Sequence, residues 1–282
     1  MKKSKSFIII LLVFLAFSTT NVATAEENTN VQTTQYQLDN VVTLSNEISD
    51  LTFEQIEDNS DKLTDEINEL TNDDFDNLMH ELTIKNSKDY QTLKEKLELV
   101  DVEYEPTFKK ISEFAPLTIE ANELTLTAYS TKRVGDSFWR INSSWSSSLS
   151  EGRPASYDLV SIEWDPDKAS YYGYNVSSST KNPTTARDGS KRGSGIYLFN
   201  SQDKAYIALD SYAVVYVTKK SGSKLDYGTK YTHSYAKTDV TISGEANFEF
   251  QKTGKVGGFT FNLLAKTKES KWTLWDDNTL SW

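Results

Sequence analysis

The sequence contains no cysteine, only two histidines and only five prolines in 282 residues. Without thiols it has no disulfide framework, no thiolate zinc centre, no cysteine nucleophile and no acylated lipobox. Stability must therefore come from a packed core large enough to suffice alone. Histidine chemistry is confined to His80 and His233. His80 follows the apolar Leu78-Met79 step and reads as a helix-face residue. His233, between Thr232 and Ser234, reads as a strand residue facing solvent. No G-x-S-x-G elbow accompanies either, so a Ser–His–Asp triad has no support. A zinc site would need carboxylates for most of its ligands. The expectation is accordingly no metal, no cofactor and no catalytic residue.

Long apolar runs are also scarce. The one at the start, Phe7 to Phe17, follows Lys2, Lys3 and Lys5 and precedes Ala23-Thr24-Ala25. That order defines a secretory signal peptide over residues 1–25, cleaved after Ala25, and the run is too short for a retained membrane anchor. The expected location is outside the cell. The plan of signal, acidic helices and cysteine-free sheet domain resembles that of many secreted proteins of Gram-positive bacteria, a likeness of architecture that implies no activity.

The net charge of −11 is unevenly spread. Residues 26–115 carry 23 acidic and 7 basic side chains, whereas residues 116–282 carry 18 and 20. Such asymmetry marks two segments with different roles, and the acidic front excludes nucleic acid as its partner. Residues 26–37 are polar and aperiodic, a disordered leader. From 38 to 103 apolar residues recur at steps of three and four, as in Leu44, Ile48, Leu51 and again Phe75, Leu78, Leu82, which predicts three or four short amphipathic helices. Thr52 with Gln55 forms a capping box, Thr71 precedes Asp74 in the same way, and Ser87 can cap the helix carrying Leu93 and Leu97.

Residues 104–118, with Pro106 and Pro116, read as a linker. Beyond them the period changes to two. Leu124, Leu126 and Ala128 alternate with threonines; Val240 with Ile242, Phe248 with Phe250, and Phe259 with Phe261 and Leu263 alternate with polar or charged residues, and Gly254, Gly257 and Gly258 mark a hairpin. Gly195 to Thr218 reads as a three-stranded meander, and the phase slip between Leu159 and Val160 suggests a β-bulge. Lys271 to Trp282, with three tryptophans, reads as a closing strand. The fold class is α+β by segregation: a small acidic helical segment (38–103), then an antiparallel sandwich or barrel-like all-β domain over 119–282.

Two groups of residues could bind something. The aromatic residues Trp139, Trp145, Tyr171, Tyr172 and Tyr174 suit a sugar ring or a protein surface, and alternation puts Tyr172 with Tyr174 on one face and Tyr171 on the other. The polar loop from Ser177 to Ser194 carries Lys181, Arg187, Lys191 and Arg192 and suits a polyanion. Carboxylates offer less. Glu163 beside Trp164 is the best candidate for glycoside chemistry, against its reading as an outward-facing acid. Asp165-Pro166-Asp167 and Asp276-Asp277-Asn278 read as turns.

Three functions follow. The first is a secreted non-enzymatic sandwich that binds a cell-surface glycan, polyanion or protein. The second is the pro-protein of a toxin or antimicrobial whose helical segment is removed, the only reading that involves a membrane. The third is a carboxylate-dependent glycan-active enzyme. Oligomeric state is not legible.

Overall fold

The structure, a computed structural model, describes residues 39–107, 111–112, 119, 123–236, 247–252, 259–264 and 269–282. The expected signal peptide and leader, Val240, Ile242 and the three hairpin glycines lie outside these residues. Among the described residues five helices come first: α1 (39–50), α2 (Phe53–Asp58), α3 (Ser60–Glu69), α4 (Asn72–Lys85) and α5 (Tyr90–Glu98). The helical starts follow the sequence. Thr52 and Gln55 close both halves of the capping box, and the Thr71 hydroxyl accepts from the Asp74 N–H. The cap of α5 is Asp89, not Ser87, because its carboxylate reaches the Thr92 N–H.

Thirteen strands follow among the described residues. Sheet A orders β1 (Val102–Pro106), β3 (Leu124–Arg133), β4 (Trp139–Ser150), β9 (Ala208–Lys219) and β6 (Ala169–Val176). Sheet B orders β2 (Ile111–Ser112), β13 (Glu269–Ser281), β10 (Lys224–Ala236), β5 (Asp158–Trp164), β8 (Ile196–Ser201) and β7 (Thr184–Ala186). A separate hairpin pairs β11 (Asn247–Lys252) with β12 (Phe259–Leu264). All these pairings are antiparallel. The two large sheets face each other across a core that includes Ile141, Trp145, Val215 and Val217 from A and Val160, Ile162, Trp164, Tyr231 and Trp272 from B. That is a sandwich.

Four expectations need correcting. Gly195 to Thr218 forms two strands in different sheets, because Tyr206 turns the chain and everything from Ala208 onward is one strand, β9. No bulge interrupts β5, whose register with β8 and β10 is continuous; alternation fails there because all seven residues are buried. Asp276, Asp277 and Asn278 sit inside β13, paired with Thr229, Gly228 and Tyr227. The stretch read as a linker, 104–118, supplies Tyr104–Pro106 of β1 along the edge of β3, and β2 beside β13.

The helices pack on sheet A. Val41, Ile48, Leu63, Phe75, Leu82 and Leu97 share one buried cluster with Tyr104 of β1 and Tyr129 of β3. Arg140 of β4, fully buried, meets the equally buried Asp76 of α4 at 2.8 Å. The acidic front and the sheet body thus form one three-layered structure.

Candidate functional site

Among the described residues strand β6 is the edge of sheet A, where backbone N–H and C=O groups on one side have no ladder partner. Its register on β9 shifts between Tyr171 and Gly173, so Tyr172 is the extra residue of a bulge. The bulge reverses the expected faces. Tyr171, Tyr174 and Val176 turn toward the sandwich interior, while Tyr172 and Asn175 turn toward the helices. One inserted residue changes the parity of everything after it.

Tyr171 and Tyr174 meet Tyr197 of β8 at the mouth between the two sheets. Tyr171 stacks on Tyr197 at 5.5 Å and 9°, and Tyr174 on the same ring at 5.1 Å and 28°. Behind them Trp164 lies 6.5 Å from Tyr171. Arg192, on a single 3-10 turn (Arg192–Ser194), places its guanidinium 5.0 Å from both Tyr171 and Tyr197. Gly195 holds that turn in place. Its φ is +69°, and a Cβ there would come within 2.0 Å of the Trp164 carbonyl oxygen. Burial pushes the Tyr197 hydroxyl up to about 12, so it stays a neutral hydrogen-bonding group. Arg192 is exposed and Tyr174 is 44% exposed, so a cation and an aromatic ring are offered to solvent side by side.

Of the expected aromatic residues, then, Tyr171 and Tyr174 come together with Arg192 of the basic loop. The others go elsewhere. Trp145 is fully buried in the sandwich core and Trp139 nearly so. Tyr172 is exposed on the helix side, stacked on Phe138 at 5.2 Å. Arg187 is buried and donates to the Asn200 side chain at 2.7 Å, whereas Lys181 and Lys191 are exposed. Tyr197 was missed because it lies in an apolar run that reads as core.

Glu163 is buried on β5 and accepts from the Ser161 hydroxyl, so it is not the outward-facing acid expected. His233 is a larger correction. It is fully buried, with Nδ1 3.0 Å from Asp158 Oδ2 and Nε2 3.1 Å from Glu151 Oε2. Tyr231 donates to Asp158 at 2.5 Å, and the Ser234 N–H donates to it at 2.8 Å. Asp203, also buried, completes the group. Burial pulls the imidazole down, but the Asp158 charge and the hydrogen bonds to Asp158 and Glu151 hold it well above the usual histidine range. Burial and the neighbouring Asp158 push the Asp203 carboxyl well above its ordinary value. His80 keeps its helix-face role, wedged between Ser144 and Asp210 at 3.0 Å each.

No family model matches the chain, and no curated protein matches it. Similar solved structures include the sixth cohesin of Acetivibrio cellulolyticus scaffoldin B in complex with a dockerin, at 18% identity over 33% of this chain and 76% of that one, TM-score 0.24. They also include the NetB toxin of Clostridium perfringens in its membrane-inserted form, at 7% identity over 64% and 97%, TM-score 0.29. A structure of Fap1 fimbriae in Streptococcus parasanguinis adhesion stands at 7% identity over 64% and 94%, TM-score 0.27. Likenesses this distant assign neither family nor function. What the chain itself displays is a helix-backed antiparallel sandwich with a tyrosine–arginine platform at one mouth.

Proposed function

We propose that this chain is a secreted, non-enzymatic binding protein whose platform of Tyr171, Tyr174 and Arg192, backed by the buried Tyr197, engages an anionic cell-surface glycan. The observation that carries this reading is the guanidinium held over two tyrosines beside an exposed third. A sugar ring presents axial C–H groups to an aromatic face, and a carboxylate or phosphate on it pairs with arginine in bidentate fashion. Lys191, adjacent and exposed, extends the positive charge.

Retention on purified bacterial cell walls tests the reading. Tyr174→Ala and Arg192→Ala should each weaken retention about tenfold, the equivalent of roughly 1.4 kcal/mol. Tyr172→Ala, on the opposite face, should leave it unchanged. Retention should fall with added salt. A wild-type chain that washes through at low salt would end the proposal.

A second reading, the toxin, rests on the β11–β12 hairpin. Its backbone register pairs Phe248 with Leu263 and Phe250 with Phe261. In sequence, Val240, Ile242, Gly244, Ala246, Phe248 and Phe250 alternate with polar or charged residues. About ten alternating residues is the length with which a tilted strand crosses a bilayer. Among the described residues no helix is long and apolar enough to do so. Dye release from phospholipid vesicles, without retention on cell walls, would favour this reading over the first.

A further inference from the structure

We infer that Asp158, Asp203 and His233 form a site for a divalent transition cation of the zinc or manganese class, buried at one end of the sandwich. Each offers one ligand atom, and these atoms all lie within 4.8 Å of one another. Bonds of about 2.1 Å to a shared ion would require only sub-ångström side-chain adjustments. Two carboxylates and one imidazole, without sulfur, make a donor set suited to zinc or manganese rather than to magnesium or copper(I).

Two observations point to a ligand beyond the clustering itself. Asp203 is 5% exposed, yet its Oδ2 has no hydrogen-bond partner among the described residues. Leaving a carboxylate oxygen buried and unanswered is costly, and a cation supplies the missing partner. The other is the setting of His233. Its Nε2 lies 3.1 Å from the buried Glu151, which leaves Nδ1 directed at the Asp158 side. A carboxylate that fixes the far nitrogen of an imidazole is the usual support behind a metal-bound histidine. Asp158 is likewise held from behind by Tyr231 and Ser234. On binding, the ion displaces the Nδ1 proton to solvent while the Nε2 proton stays on the Glu151 hydrogen bond. The elements joined in this way are β5, β10 and the turn after β8. An ion there would link them in a chain that has no disulfide to do so.

The test uses the whole chain, stripped with a chelator and dialysed against zinc, manganese or calcium. Metal content is read by mass spectrometry and the thermal midpoint by calorimetry. The expected result is about one zinc or manganese per chain with a midpoint raised by several degrees. Asp203→Asn should lose both effects, while its metal-free form melts no lower than the metal-free wild type, because one buried acid has been removed. Glu151→Gln should bind about 10- to 100-fold more weakly. Wild-type protein that holds less than about a tenth of an equivalent and shows no shift would overturn the site whatever the variants do. Binding that survives Asp203→Asn would overturn it too, as would calcium acting as strongly as zinc, since calcium prefers an all-oxygen shell.

Discussion

Replacing Arg140 by alanine is expected to destabilise the whole chain by about 3–5 kcal/mol at pH 7, the range for removing one partner of a buried ion pair. Arg140 has no exposed side-chain surface. Its Nε lies 2.8 Å from Asp76 Oδ1, its Nη1 donates to Asp136 at 2.5 Å and its Nη2 to Asn72 at 2.8 Å. The guanidinium also rests over Phe75 and Phe138, 4.6 and 4.8 Å from their ring centres. Without it, the Asp76 carboxylate keeps, among the described residues, the Tyr216 hydroxyl and the Asn175 amide as its side-chain donors. The paired change Asp76→Asn with Arg140→Met should be much milder, because no charge is then left buried alone. Helical and sheet signals should be lost in one transition in denaturant. Separate transitions would show that the helices are a detachable pro-segment, as the toxin reading requires.

The second large effect is on pH. Asp276 lies in the interior of β13, 3% exposed, and accepts from the Ala128 N–H at 2.6 Å. Burial pushes its carboxyl up to about 7, and burial likewise raises Asp76 to about 6 against the pull of Arg140. An unfolded aspartate titrates near 3.9. Between that value and the folded one, the native chain keeps a proton that the unfolded chain has released. Stability therefore falls as pH rises from about 4 to about 7. His233 acts in the same sense. Its pKa is raised, so its contribution is complete below the unfolded histidine value and is lost only as pH climbs through the folded one. Asp136 and Glu151 act oppositely. Burial opposes their ionisation, but hydrogen bonds from Arg140 and His233 respectively, with the charges beside them, lower both, so their support is lost in acid. Stability measured in urea should peak near pH 4 and decline by several kcal/mol toward pH 8. Asp276→Asn should remove about half of that decline. A flat wild-type profile over this range would refute the assignment.

Much of this was legible in the residues. Helical spacing from Leu44 to Leu97 works because each helix buries one stripe against sheet A and leaves the rest wet. Alternation finds β3, whose Leu124, Leu126 and Ala128 join the sandwich core, and it also finds the paired backbone of β11 and β12. It fails on β5, where Asp158, Ser161 and Glu163 are as buried as Leu159 and Ile162, so polarity no longer reports a face. His233 was misplaced by that same logic. Polar neighbours in sequence suggested solvent, but its partners Glu151 and Asp158 lie 82 and 75 residues away. The platform was half visible. Tyr171, Tyr174 and Arg192 were in view, yet the bulge at Tyr172 that aligns two of them is a matter of register with β9 and leaves no mark on local composition. Prolines at 106 and 116 suggested a break, whereas an edge strand tolerates a missing N–H, as Pro106 at the end of β1 shows.

The most direct test of the binding account is covalent footprinting of exposed tyrosine and arginine side chains with and without purified cell walls. The account predicts that Tyr174 and Arg192 become protected together, while Tyr172, on the same strand but the other face, and Tyr206, 82% exposed in a turn, keep their labelling. Protection of Tyr172 or Tyr206 with Tyr174 unchanged would place the contact elsewhere and contradict it.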